Sequence, residues 1–227
     1  MNELSLLYYT DNAIQESTRQ KIADYLLEVT ENKYPIVSVS QKPIDLGHNI
    51  CVGEIGKSKH NLYKQILTGV RGVKTKYVAL AEDDTLYSPE HFLYRPEDDA
   101  CSYNTNGWFA QPEKDFYWRV SNHETKAGGH WGCIARADIL LKDMEHYFKL
   151  NPISYGGDGV SHFPSRMVKR SSKDPCVIFI HEVSMGYNQF RKLHRRYGHP
   201  LPEDRVETLE QFGNIKDLWK EYWGVAK

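Results

Sequence analysis

The chain has 227 residues, with 29 Lys and Arg against 30 Asp and Glu and a formal net charge of −1. That length suits one large domain with a full core, and the balanced charge excludes a global field that would pull the protein onto nucleic acid or an anionic membrane. Hydrophobic residues at 40% and charged residues at 26% match a soluble globular protein, and no window approaches the ~20 apolar residues of a spanning helix.

The opening MNELSLLYYTDN has no basic region and no long apolar stretch, so no signal peptide is read and a reduced, cytoplasmic compartment without stable membrane insertion is expected. LSLLYYT (4–10) is a short apolar strand ending in Asp11 and Asn12. Residues 13–29 carry Ile14, Ile22, Leu26 and Val29 on one helical face, and Asn12 with Gln15 three residues later fits a capping pair. IVSVS (36–40) follows Pro35 and alternates as a strand does. Residues 58–71 form a second amphipathic helix through Leu62, Ile66 and Val70 with Ser58 as cap, and YVALA (77–81) is a third strand. Strand, helix, strand, helix, strand at this spacing predicts an α/β fold with a mixed, mainly parallel sheet flanked by helices.

Residues 93–130 are irregular and rich in aromatic, Asn and Gly residues. Residues 136–150 read as a helix through Ile139, Leu140, Met144, Tyr147 and Phe148, and CVIFIH (176–181) as another apolar run ending in a polar residue. In 186–199, Phe190, Leu193 and Tyr197 at helical spacing face inward while Arg191, Lys192, Arg195 and Arg196 face out. Residues 206–223 read as a helix despite Gly213. No CxxC pair exists, which argues against a thiolate zinc site, and Cys51, Cys133 and Cys176 beside apolar residues read as small buried side chains.

The informative stretch is YVALAEDDTLYSPEHF (77–92), where an apolar run leads into Glu82, Asp83 and Asp84. Like charges this close repel, and desolvation worsens the repulsion, so a cation is expected to compensate them. Carboxylates suit Mg²⁺ or Mn²⁺, and an imidazole, with His181 as the candidate, moves the preference toward Mn²⁺. In an open α/β sheet ligands lie beyond the carboxyl ends of the strands. Thr10-Asp11-Asn12, Glu82-Asp83-Asp84 and His181-Glu182 all end apolar runs, so one crevice could hold all three.

The acidic stretch resembles the metal-binding strand end of GT-A fold, nucleotide-sugar-dependent glycosyltransferases of the family 2 type, whose DxD-type motif follows such a strand. Glu82 stands for the first Asp. The resemblance implies a metal held by Asp84, with Glu82 and His181, and Asp83 near the ribose or the metal. It places Thr10, Asp11 and Asn12 at base and ribose, Gln41 beside the nucleobase, and Lys57 and Lys59 toward a nucleotide-sugar donor such as a UDP-sugar. HWGCIARADILL (130–141) looks like the acceptor-side strand and helix, with Gly129, Trp131 and Trp108 on the acceptor, and Asp158 in GGD becomes the catalytic base. Residues 1–92 then form the donor half, 93–185 the acceptor half and 186–227 a basic C-terminal segment. Arg191 or Lys192 closes over the diphosphate, or the basic patch contacts phosphates of a DNA acceptor carrying hydroxymethylated bases, as in phage enzymes. The expected activity is hexosyl or pentosyl transfer to a glycan, small-molecule or DNA hydroxyl. A metal-dependent nuclease or phosphohydrolase, and a non-catalytic module with a structural ion, are the alternatives.

Overall fold

The computed structural model describes residues 3–111, 114–119, 130–152, 163–182 and 205–224. LSLLYYT forms β1 (Leu4–Thr10), and all seven of its side chains are buried, as a strand covered on both faces requires. It lies parallel to β2 (Ile36–Ser40) on one side and to β4 (Tyr77–Glu82) on the other. β3 (His48–Cys51) continues the sheet beyond β2 in the same direction. On the far side β9 (Cys133–Arg136) runs antiparallel to β4 and to β6 (Ala100–Asn104), and β10 (Arg166–Arg170) lies parallel to β6. The seven strands take the order β10-β6-β9-β4-β1-β2-β3. Four of the six pairings are parallel, which is the mixed, mainly parallel α/β arrangement expected.

Helices cover both faces. Helices α2 (Lys59–Gly72) and α3 (Ala137–Leu150) present Tyr63, Ile66, Val70, Leu140, Met144 and Tyr147 to one face. Helix α1 (Glu16–Val29) lays Ala23 and Leu26 on the other, against Leu4, Leu6 and Tyr8. That second face also carries a smaller sheet built from β5 (Thr85–Leu86), β7 (Gly107–Ala110), β8 (Tyr117–Arg119), β11 (Cys176–Phe179) and β12 (Arg205–Val206), in the order β12-β8-β7-β11-β5. Residues 93–130, expected to be irregular, thus supply three strands.

Three local readings are corrected. Asn12 does not pair with Gln15 to cap α1, because Gln15 occupies the cap position with no side-chain cap bond. The Asn12 amide oxygen instead accepts from the backbone N–H groups of Gln41 and Lys42, at 2.9 and 2.8 Å. Cys51 is exposed on the edge strand β3, whereas Cys133 and Cys176 are buried as expected, and so is Cys101. The continuous helix over 206–223 is broken at Gly213, whose φ is +69°. Residues Thr208–Leu209 and Gly213–Asn214 pair as a short hairpin, β13 and β14. Helix α4 (Ile215–Trp223) starts only after them, capped by the Asn214 side-chain Oδ1 accepting from Lys216 N–H at 2.9 Å. The expected 186–199 helix lies outside the described residues.

Ser58 does cap α2: its hydroxyl accepts from Asn61 N–H at 3.1 Å. Ser58→Ala should therefore cost about 1 kcal/mol, and Ser58→Gly only a few tenths. Urea denaturation midpoints of the three proteins check this; equal midpoints would mean that the cap bond contributes nothing.

Candidate active site

The parallel strands β1, β2 and β4 all point their carboxyl ends at one cleft of about 260 Å³. Register decides what meets there. Tyr9 lies opposite Glu82 across the β1–β4 pairing, and its hydroxyl donates to Glu82 Oε1 at 2.6 Å. One residue on, the Thr10 hydroxyl donates to Asp83 Oδ2 and accepts from Asn12 N–H. Two of the three acids are therefore held by hydroxyls of the neighbouring strand. Gln65, buried on α2, donates to the carbonyls of Thr10 and Val39 at 2.7 and 3.3 Å and ties the ends of β1 and β2 together.

Asp84 is positioned by the second sheet. Its backbone carbonyl accepts from Phe179 N–H at 2.8 Å, where β11 runs antiparallel to β5. Two residues later His181 arrives with its Nε2 3.6 Å from Asp84 Oδ2. His181 is buried.

Burial and charge act together on the trio. Desolvation first, then the Asp84 charge, push the Glu82 carboxyl up to about 8, against an opposing pull from the Tyr9 hydrogen bond. The same two causes push Asp83 up to about 7, opposed by Thr10 and by Lys57. Lys57 sits at the rim, its Nζ 3.0 Å from Asp11 Oδ2. Opposite, His130 lines the cleft in a short 3-10 turn (His130–Gly132), and burial and the charge of Lys59 lower it to about 4, so it is neutral at pH 7.

The remaining wall is apolar: Ile14, Phe109, Trp131, Ile178 and Ile180. Trp131 lies against Gly107, where a Cβ would come within 2.5 Å of the indole, so β7 needs glycine at that point.

Of the residues singled out in the sequence, Thr10, Asp11, Gln41, Lys57, Glu82, Asp83, Asp84, Trp131 and His181 line one cleft. Others lie elsewhere. Lys59 is not among the residues lining the cleft and stands over the Tyr63 ring, 5.8 Å from its centroid. Trp108 points to the opposite face of β7, where it packs beside Leu86 and Val177, with its indole N–H on Asn106 Oδ1 at 3.2 Å. An acceptor contact from Trp108 is not what this geometry offers. Asn12 acts on backbone, as described. Asp158, Gly129, Arg191 and Lys192 lie outside the described residues. Tyr9, Gln65 and His130 were missed. Tyr9 is legible only once the β1–β4 register is known, and His130 had its adjacency to Trp131 as the only signal.

Among the described residues, no three His, Cys, Asp or Glu side chains converge as a ready-made cation site. Glu82 and Asp83 each give one carboxylate oxygen to a hydroxyl of β1, Tyr9 and Thr10 respectively. Asp84 and His181 do fit a divalent cation as a pair, one hard carboxylate oxygen and one imidazole, with the other positions left to phosphate oxygens and water. No helix among the described residues is long and apolar enough to cross a membrane.

No family model and no curated protein matches the chain. Solved structures do. A nucleotidyl transferase from Methanothermobacter thermautotroptrophicus aligns at 12% identity over 87% of this chain and 98% of that one, with a TM-score of 0.45. A glycosyltransferase involved in glycosylation of the major capsid of PBCV-1 aligns at 10% identity over 84% and 98%, TM-score 0.44. The apo-form glycosyltransferase GlyE of Streptococcus pneumoniae aligns at 10% identity over 97% of this chain and 60% of that one, TM-score 0.45.

The raised carboxyls make stability pH-dependent. The folded state retains protons on Glu82 and Asp83 that the unfolded chain releases near 4.5 and 3.8, so their contribution is greatest below about pH 4 and is lost as pH rises through about 8. With chelator present, the melting temperature should fall between pH 5 and pH 8, and Glu82→Gln should flatten that slope. An equal slope in the variant would show that Glu82 is not buried among like charges.

Proposed function

We propose that the protein is a divalent-cation-dependent glycosyltransferase that moves a sugar from a nucleoside-diphosphate donor to an acceptor hydroxyl. The observation that carries this is the half-buried acid trio at the carboxyl end of β4, facing His181 and the start of α2 in one cleft. A pyrophosphate supplies the partner chemistry such a cleft lacks: with a cation between, it meets the acids, and alone it meets the N-terminus of a 14-residue helix.

Asp84 and His181 hold the cation, Mn²⁺ or Mg²⁺, which when bound neutralises charge on the departing diphosphate. Lys57 and the first turn of α2 bind phosphate oxygens from the other side. Gln41 sets the floor near the base: its side-chain amide is locked by Gly56, accepting from Gly56 N–H at 3.0 Å and donating to Gly56 C=O at 2.9 Å. Asp11, at the rim, faces the ribose. Ile178, Ile180, Phe109 and Trp131 exclude water from the reacting end and offer apolar surface to the sugar or acceptor. Asp158 takes the acceptor proton, a contribution of about 10²–10⁴-fold for a general base.

Turnover is measured as nucleotide release from a panel of nucleotide sugars with Mn²⁺, using glycan, small-molecule and hydroxymethylated-DNA acceptors in separate arms. Asp84→Ala should lower kcat about 10²–10³-fold, as loss of a principal electrostatic stabiliser does, and Asp158→Asn should lower it with little change in donor KM. Hydrolysis of nucleic acid or phosphate esters with no sugar donor would replace this reading with a phosphohydrolase. No turnover with any donor, and no binding, would remove it.

A further inference from the structure

The C-terminal helix has no part in the function above, yet its last turn packs against His181, a residue of the cleft. Three aromatic residues of α4, Trp219, Tyr222 and Trp223, gather around Phe179 of β11, with ring centroids 5.2, 5.6 and 5.8 Å away. Trp223 reaches further. Its indole lies against the imidazole of His181, centroids 4.8 Å apart and planes tilted by 36°. The helix end is itself anchored to α1, where the Thr18 hydroxyl, buried, donates to the Tyr222 carbonyl at 2.9 Å. Trp219 leans on Trp223 at 5.1 Å but its contacts run to Phe179, away from the imidazole.

An imidazole has two edges that carry nitrogens and two faces that do not. Occupying a face with a large, fixed ring restricts rotation of the imidazole about its side-chain bond and leaves the nitrogen edge directed where the neighbours allow, here toward Asp84 Oδ2. Groups that orient a ligating histidine typically change metal affinity about 10–100-fold when removed.

We propose that Trp223 is a positioning residue: it holds His181 so that the imidazole edge stays turned to Asp84, and so couples docking of α4 on α1 to the geometry of the candidate cation site. This rests on Asp84 and His181 as the cation's side-chain ligands.

The test uses the full chain and four variants: Trp223→Leu, which keeps apolar bulk but loses the flat face; Trp223→Phe, which keeps a flat face; and Trp219→Leu and Trp219→Phe, which alter the same helix without touching His181. The first measurement is metal-free. Nitrogen-15 shifts of the His181 ring at alkaline pH report its tautomer, expected to be a single one in the wild type, in Trp223→Phe and in both Trp219 variants, and averaged in Trp223→Leu. The second is Mn²⁺ alone, titrated by electron paramagnetic resonance of the free ion, with Kd expected to rise about tenfold in Trp223→Leu only. A single tautomer retained in Trp223→Leu, or equal losses in Trp223→Leu and Trp219→Leu, overturns the proposal. Failure of the wild type to bind Mn²⁺ overturns the cation reading instead, and the tautomer measurement still decides the role of Trp223.

Discussion

The site depends on crowding three adjacent, half-buried carboxylates at the end of a sheet strand. Left alone, such a cluster opposes folding, because each acid loses hydration and each repels the others. Two compensations are built into the chain itself. Hydroxyls of β1, in register with β4, donate to Glu82 and Asp83, and raised carboxyl pKa values let those two acids keep protons. The third, Asp84, takes only the hydroxyl of its own neighbour Thr85 on Oδ1, at 3.3 Å, and turns Oδ2 to the His181 imidazole. The trio is thus divided by its neighbours into a pair held by the fold and a single carboxylate presented to the cleft.

That division comes from two sheets meeting. The large parallel sheet delivers Thr10, Gln41 and Glu82 to one edge, as strands with a common direction must. The smaller sheet sends β11 back antiparallel to β5, so that a residue nearly one hundred positions later in the chain stands beside Asp84. Neither sheet alone makes the cleft. The apolar wall has the same dual origin, with Ile14 following β1 and Phe109, Ile178 and Ile180 belonging to or following strands of the smaller sheet.

Much of the large sheet and the helices on one of its faces was legible in the sequence for a simple reason. β1, β2 and β4 are short apolar runs, α2 and α3 carry apolar residues at helical spacing, and their observed ends fall within a residue or so of the expected ones. β3 was not legible, because HNIC is a half-exposed edge strand with no apolar alternation. The C-terminal helix misled because apolar spacing continues across Gly213, where a left-handed backbone ends it. In the cleft, the acids and His181 could be read from strand ends, whereas Lys57 and Trp131 rested on the family resemblance alone. Tyr9 and Gln65 could not, since their roles are set by cross-strand register and by a helix packing on two carbonyls. Trp108 was misplaced by one position of strand alternation: its neighbour Phe109 faces the cleft.

A cation held at Asp84 and His181, as proposed, would draw protons off the adjacent Glu82 and Asp83, and proton linkage measures that directly. Mn²⁺ is titrated calorimetrically into protein with a nucleoside diphosphate at pH 7, in buffers of different ionisation enthalpy, and the control is the protein carrying Glu82→Gln and Asp83→Asn. The account predicts net release of on the order of one proton from the wild type beyond that from the control. Binding with equal proton release from both proteins would contradict it.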